Sequence, residues 1–153
     1  LKLFDLLSPE TILDDLSAVT KDEVIRELSE SISKYSEGID ASELAKILME
    51  RESLGSTGIG EGIAIPHGKY PKIKFLTGAV GRSIKGIDFQ SMDNQPAHLF
   101  FLLVAPENSA GLHLKALAKI SRLLKTERLR KRLMEASSKE NMITILKEED
   151  ERL

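Results

Sequence analysis

The run His98-Leu99-Phe100-Phe101-Leu102-Leu103-Val104 limits the fold more than any other stretch of this chain. It is too short to cross a membrane, and it lacks the apolar–polar alternation of a strand with one wet face. It reads as a central strand buried on both faces. A strand of that kind needs cover on each side, so the chain must build a sheet with helices above and below. Pro106, which cannot donate to a ladder, ends the run.

The flanking segments supply the cover. Leu3 to Leu7 is apolar and stops at the turn signal Ser8-Pro9, and Thr11 to Leu16 reads as a short strand. Thr20 opens a helix through the capping pattern Thr20-x-x-Glu23, with Val24, Ile25, Leu28 and Ile32 on one face, and Gly38 stops it. Asp40-x-x-Glu43 opens a second helix that carries Leu44, Ile47 and Leu48 and ends near Arg51. Ile73 to Ser83 reads as a strand through Phe75, Ala79 and Val80, weakened by Gly78 and Gly81. Ile87 to Met92 is short and extended, and Asp93-Asn94-Gln95-Pro96 is a turn. A helix starts around His113, with Leu114, Leu117, Ile120 and Leu124 inward. Thr126 caps another with Leu129 and Leu133, and Ser137-x-x-Glu140 caps the last, with Met142, Ile145 and Leu146. No repeat, linker or low-complexity tract interrupts the 153 residues. The expected fold is α/β: one domain over 1–153, a three-layer α/β/α sandwich around a mixed sheet.

Composition removes several functions. A net charge of −2 and a pI near 6.0 give no general attraction to nucleic acid or anionic membrane. The chain has no cysteine, which excludes disulfides, thiol nucleophiles and thiolate metal sites. No apolar run reaches membrane-spanning length, and Leu1-Lys2-Leu3-Phe4-Asp5 lacks the layout of a secretory signal. The expectation is a cytoplasmic protein. Arg122, Lys125, Arg128, Arg130, Lys131 and Arg132 form a basic run read as solvated helix faces, since no aromatics interleave them for nucleic-acid stacking.

Chemistry concentrates between Gly55 and Lys69. Four glycines, Gly55, Gly58, Gly60 and Gly62, fall within eight residues, which permits left-handed turns and close approach to backbone N–H groups. Ile63-Ala64-Ile65 then reads as a short buried strand that delivers Pro66 and His67. The plain alternative for His67 is an inert, hydrogen-bonded histidine at a strand end. The glycine loop, the stiff Ile-Pro lead-in and the uncrowding Gly68 favour a working imidazole, whose acceptor nitrogen is nucleophilic near pH 7. A backbone carbonyl holding the other nitrogen's proton would fix that acceptor in place. Two nucleotide motifs fail. Gly62 and Gly68 are one residue too far apart for a Walker A loop and Tyr70 follows Lys69, while Ile63 replaces the third glycine of the dinucleotide fingerprint. What remains is a loop whose N–H groups, with the Ser56 and Thr57 hydroxyls, can hold an anion.

Other candidates carry two readings each. Arg51 is either a helix-end cation favoured by the macrodipole or a guanidinium fork for a phosphoryl group. His113, near the start of an apolar helix, is either a core histidine or a partner of the site. His98 reads as structural. Three histidines without a His-Glu-x-x-His pattern do not suggest zinc, and no carboxylate is obviously placed to orient His67 for hydrolysis.

The stretch Arg51-Glu52-x-Leu54-Gly55-Ser56-Thr57-Gly58-Ile59-Gly60-x-Gly62-Ile63-Ala64-Ile65-Pro66-His67-Gly68-Lys69 resembles the signature of IIA domains of the bacterial phosphoenolpyruvate-dependent sugar phosphotransferase system. The type is the fructose/mannitol one, which includes nitrogen-regulatory IIA proteins. Asp93-Asn94-Gln95-Pro96 and His113-Leu114-x-x-Leu117-Ala118 are similar to the family in the same order, so the resemblance covers essentially the whole chain. It implies a mixed sheet between helical layers and a phosphohistidine formed on Nε2 of His67. Phosphate would come from the phosphocarrier HPr, or its nitrogen-branch counterpart, and pass to a IIB cysteine in sugar-transporting members. The alternative is a regulatory module whose partners sense the phosphate. Arg51 and His113 match positions beside the phosphohistidine, and Ser56, Thr57 and Gly58 fall on the phosphate-lining loop. No metal, nucleotide or other cofactor is implied. Glu61 departs from what an anion pocket favours, and its carboxylate is expected to face solvent. A shallow apolar rim around His67 is expected for docking.

Overall fold

The apolar run becomes the centre of a six-stranded mixed sheet. The structure is a computed structural model describing residues 1–153, the side chain of Ala110 excepted. Its strands are β1 (Ile12–Leu13), β2 (Gly58–Gly60), β3 (Ile63–Ala64), β4 (His67–Lys69), β5 (Thr77–Ile87) and β6 (Ala97–Ala105). Its helices are α1 (Lys21–Tyr35), α2 (Ala41–Ser53), α3 (Ala110–Leu124), α4 (Glu127–Glu135) and α5 (Lys139–Glu151). The strand order is β1-β5-β6-β3-β2, with β4 continuing beside β6 beyond β3. β5 runs antiparallel to β6, whereas β3 and β4 run parallel to it.

β6 is covered on both faces, as its composition requires. Leu99, Phe101, Leu103 and Ala105 join a core with Ile120, Leu129, Leu133 and Ile145 from α3, α4 and α5. Phe100, Leu102 and Val104 join Val24, Ile25, Leu28, Leu44 and Leu48 from α1 and α2. Each large side chain buried this way contributes about 1.5–3 kcal/mol. Both capping predictions on that second face hold. Thr20 Oγ1 accepts the Glu23 N–H at 3.2 Å, and Asp40 Oδ1 accepts the Glu43 N–H at 3.1 Å.

Several boundaries differ from expectation. Leu3–Leu6 and Pro9–Thr11 are 3-10 turns, and the first strand keeps only Ile12 and Leu13. The strand expected over 73–83 forms over Thr77–Ile87 instead, because Lys72 turns the chain with φ +77° before it. Gly78 and Gly81 lie inside it. A Cβ on Gly78 would press on the Phe101 ring, and one on Gly81 on Leu16 and Leu28, so both make room for their neighbours. The last helix is capped by Ser138, which accepts the Asn141 N–H at 3.0 Å, one residue later than Ser137. Leu114 is exposed, because the buried stripe of α3 runs through His113, Ala116, Ile120 and Leu124.

Candidate functional site

The site begins at the interruption between β3 and β4. Ile63 and Ala64 pair with Leu99 and Phe100, and His67 to Lys69 pair with Leu103 to Ala105, so the parallel register carries straight across Ile65-Pro66. His67 therefore opens a strand rather than hanging from the end of one. Pro66 has no N–H to give, and its carbonyl accepts the Leu103 N–H at 3.0 Å. Successive side chains in a strand face opposite ways. His67 turns toward α3, while a Cβ on Gly68 would meet Ile47 and Leu48 of α2 at 3.2 and 3.4 Å. Glycine there lets α2 lie directly on β4.

The His67 ring is half-buried, with Nδ1 2.8 Å from the Ile65 carbonyl oxygen. A carbonyl can only accept, so Nδ1 carries the proton and Nε2 presents a free lone pair. His113 lies beside it, with ring centroids 5.7 Å apart and planes tilted by 55°. His113 is buried, and its Nδ1 has no hydrogen-bond partner among the described residues. Burial, then the neighbouring His67 and Lys69, lower its pKa from the ordinary value of 6.5, so its ring is neutral near pH 7. His98 is separate, its Nδ1–H bonded to the Ser83 carbonyl at 2.9 Å.

The glycine loop takes the left-handed turns expected of it. Gly55, Gly60 and Gly62 have φ of +151°, +94° and +78°, and Glu61 between them has +58°. Gly58 serves by close approach, since a Cβ there would overlap Ser91. The Glu61 carboxylate is exposed and 3.6 Å from Arg130, as its solvent-facing expectation requires.

The loop donors bond inward. The Ser56 hydroxyl donates to the Phe89 carbonyl at 2.7 Å and accepts the Gly58 N–H at 3.0 Å. Thr57 is buried, and both its N–H (3.1 Å) and its hydroxyl donate to the carboxylate of Glu52. Arg51 Nη1 donates to the Gly55 carbonyl at 2.9 Å, so the guanidinium closes the end of α2 onto the loop. His67 and His113 are thus in contact, and Arg51 sits at the loop's entry. Exposed Leu54 follows Arg51, and exposed Leu112 and Leu114 flank His113, which places apolar surface beside these residues.

Two participants escaped the sequence reading. Glu52 is buried at the C-terminal end of α2, where the helix dipole disfavours a carboxylate. That misplacement was the available signal. Its counter-ion is Lys21 of α1, 2.7 Å away, whose ammonium also stands 4.7 Å from the Phe89 ring centroid. In the basic run, Arg128 and Arg132 bind the buried Glu149, so they are not simply solvated. Among the described residues no group of three His, Asp or Glu is arranged to hold a metal. No described helix is long and apolar enough to cross a membrane.

An α/β/α domain with paired histidines at one sheet edge is a recognisable class. The chain belongs to the EIIA 2 family of the phosphoenolpyruvate-dependent sugar phosphotransferase system, whose family model matches residues 5–149. Members of that family carry a phosphohistidine intermediate in phosphotransfer. The chain is 40% identical over 142 residues to a nitrogen regulatory protein of Bradyrhizobium diazoefficiens, covering 93% of this chain and 92% of that one. It is also 40% identical over 150 residues to the fructose-specific EIIABC component of Bacillus subtilis, covering 98% of this chain but 24% of that protein. Among solved structures it is similar to the nitrogen regulatory protein IIA-Ntr of Neisseria meningitidis. There the TM-score is 0.86 at 34% identity, over 93% of this chain and 97% of that one. The Escherichia coli mannitol IIA, solved in complex with phosphorylated mannitol IIB, matches with a TM-score of 0.75 at 25% identity, over 92% of this chain and 96% of that one.

Proposed function

We propose that this chain is a cytoplasmic phosphocarrier whose His67 takes a phosphoryl group from a phosphohistidine on HPr or a nitrogen-branch counterpart. The observation that carries this reading is the Nδ1–H bond to Ile65, which leaves Nε2 of His67 as the nucleophile. The Nε2 lone pair forms the new N–P bond as the donor's P–N bond breaks, and that electron pair returns to the donor ring. The donor ring keeps its proton on the far nitrogen and His67 keeps its own on Nδ1, so no general base is needed. Little covalent work is left to the protein beyond in-line positioning and charge neutralisation. Arg51 supplies the positive charge, and the neutral His113 a hydrogen bond. For His113 this means donating from a ring nitrogen, which its unpartnered, buried Nδ1 suits. Ser56, Thr57 and Gly58 shape the loop, and direct contact with phosphate requires their donors to exchange present partners. The apolar surface of Leu54, Leu112 and Leu114 suits docking of a protein donor.

The relatives bear on the destination of the phosphate. Whole-length likeness to nitrogen regulatory proteins favours a regulatory module read by phosphorylation state over delivery to a IIB cysteine for fructose uptake. The test mixes the protein with phosphoenolpyruvate, Enzyme I and HPr, or the nitrogen-branch pair, and records intact mass before and after mild acid. One acid-labile phosphoryl group, absent in His67→Ala, is expected. A mass gain that survives His67→Ala sinks the assignment of the residue. Rapid emptying of the phosphorylated protein onto a IIB in the presence of fructose would restore the sugar-uptake reading.

A further inference from the structure

We infer that Glu52 is a positioning residue for His67, acting through the glycine loop; the role in catalysis rests on the phosphocarrier reading above. A chain of contacts joins the two. Lys21 of α1 holds the buried carboxylate of Glu52 at 2.7 Å. Glu52 takes both donors of Thr57, its N–H at 3.1 Å and its hydroxyl. The Thr57 carbonyl accepts the Ile65 N–H at 3.0 Å. The Ile65 carbonyl accepts Nδ1–H of His67 at 2.8 Å. The Glu52–Thr57 link is double and the two links from Thr57 to His67 run through single backbone carbonyls, so a shift of Thr57 is passed to Ile65 and from Ile65 to the imidazole.

The physical need for such an anchor is clear from the loop itself. Residues 55–62 contain four glycines and hold four positive φ angles, so the backbone has little stiffness of its own. Ile65 lies at the break between β3 and β4, where its N–H is held by Thr57 and its carbonyl is left to accept Nδ1–H of His67. The stiffness comes from a buried ion pair between α1 and α2 instead. Lys21 adds a second hold, because it stacks on Phe89, whose carbonyl receives the Ser56 hydroxyl. The carboxylate sets the donor–acceptor sense along this path, since an acceptor-only group forces Thr57 to donate twice. A glutamine in its place keeps one acceptor oxygen, loses the charge that pairs with Lys21, and presents an N–H where the hydroxyl now donates.

The expected result for Glu52→Gln is a drop of about tenfold in kcat for His67 phosphorylation, the low end of what losing an outer-shell partner costs at metal-bound histidines. KM for the phosphorylated donor stays within about twofold, because the docking surface is untouched. Independently of any donor, ¹⁵N NMR of the His67 ring should show the Nδ1–H tautomer dominant in the wild type. In Glu52→Gln it should be mixed with the Nε2–H form. Lys21→Met, which leaves the carboxylate without its counter-ion, should lose more activity than the double variant Lys21→Met/Glu52→Gln. Thr57→Val, which keeps the shape and removes one donor, should move the tautomer the same way and serves if Glu52→Gln fails to fold. Unchanged kcat and an unchanged tautomer in variants that fold would overturn the inference, as would a lowered melting temperature with kcat per folded molecule intact. A wild type that accepts no phosphate would remove the phosphocarrier reading while the tautomer measurement still decides the anchoring.

Discussion

His113 shows what one residue's surroundings do to its chemistry. Placed on the buried stripe of α3 it loses solvation, and His67 and Lys69 add positive charge nearby, so its proton is held less firmly than the ordinary 6.5 implies. In the unfolded chain it protonates near 6.5, and in the folded chain only at lower pH. Between those two values the unfolded state binds more protons, so this histidine's contribution is complete above about pH 7 and is lost as pH falls through 6.5 toward the folded value. The urea midpoint of the wild type should therefore decline between pH 7.5 and 5.5. His113→Asn should flatten part of that decline; equal declines in both proteins would show the slope arises elsewhere. The sequence placed Leu117, Ile120 and Leu124 inward and left His113 open between a core and a site reading. Leu114, by contrast, was read as core because it is apolar, although it lies a third of a turn off that stripe.

At the scale of elements, Arg82 ties β5 to the segment after β1 and to the end of α4. Its Nε donates to the Asp14 carbonyl at 2.9 Å, and Nη1 donates to the carbonyls of Leu133 and Ala136 at 2.8 and 2.7 Å. The side chain is buried without a carboxylate, and its charge is met by the C-terminal carbonyls of α4, where a helix dipole is negative. Arg82→Met keeps the apolar stem but orphans those acceptors, so a loss of about 2–4 kcal/mol is expected. By calorimetry that corresponds to a melting temperature lower by about 10 °C. A shift under about 2 °C would mean water replaces the guanidinium at no cost. Local sequence could not reveal this joint. Arg82 sits in a segment whose strand was itself placed four residues early, and its partners lie in two distant elements.

Across the whole molecule, α5 ties the chain's two ends together. Asp150 accepts the Phe4 N–H at 3.0 Å, and Lys119 of α3 bonds the Leu1 carbonyl while standing 3.7 Å from Asp150. One residue earlier, Glu149 receives Arg128 at 2.6 and 3.0 Å and Arg132 at 2.9 Å. The Arg128 bonds, with those of Arg132, outweigh burial and pull the Glu149 pKa from 4.5 to about 2. A folded value below the unfolded one means stability present above 4.5 and lost as pH falls from 4.5 toward 2. Glu149→Gln should cost about 1–3 kcal/mol at neutral pH and make the acid unfolding limb shallower in that window. Retention of the full acid limb in the variant would assign it to other carboxylates.

By itself the sequence determined the layers and the candidate histidine. The unbroken apolar run of β6 demands cover on both faces, and the caps at Thr20 and Asp40 start helices that provide it. The Ile-Pro-His lead-in after a glycine loop singles out His67. These signals are local, because burial periodicity, capping and turn chemistry act over a few residues. Only the tertiary structure decided which groups meet. It set the strand register that carries β3 into β4, turned the donors of Ser56 and Thr57 inward, paired Lys21 with Glu52, and exposed Leu114. Those outcomes depend on strand order and on helices packed from opposite ends of the chain. A hydrogen bond satisfied across such a distance leaves no periodic trace in either segment that makes it.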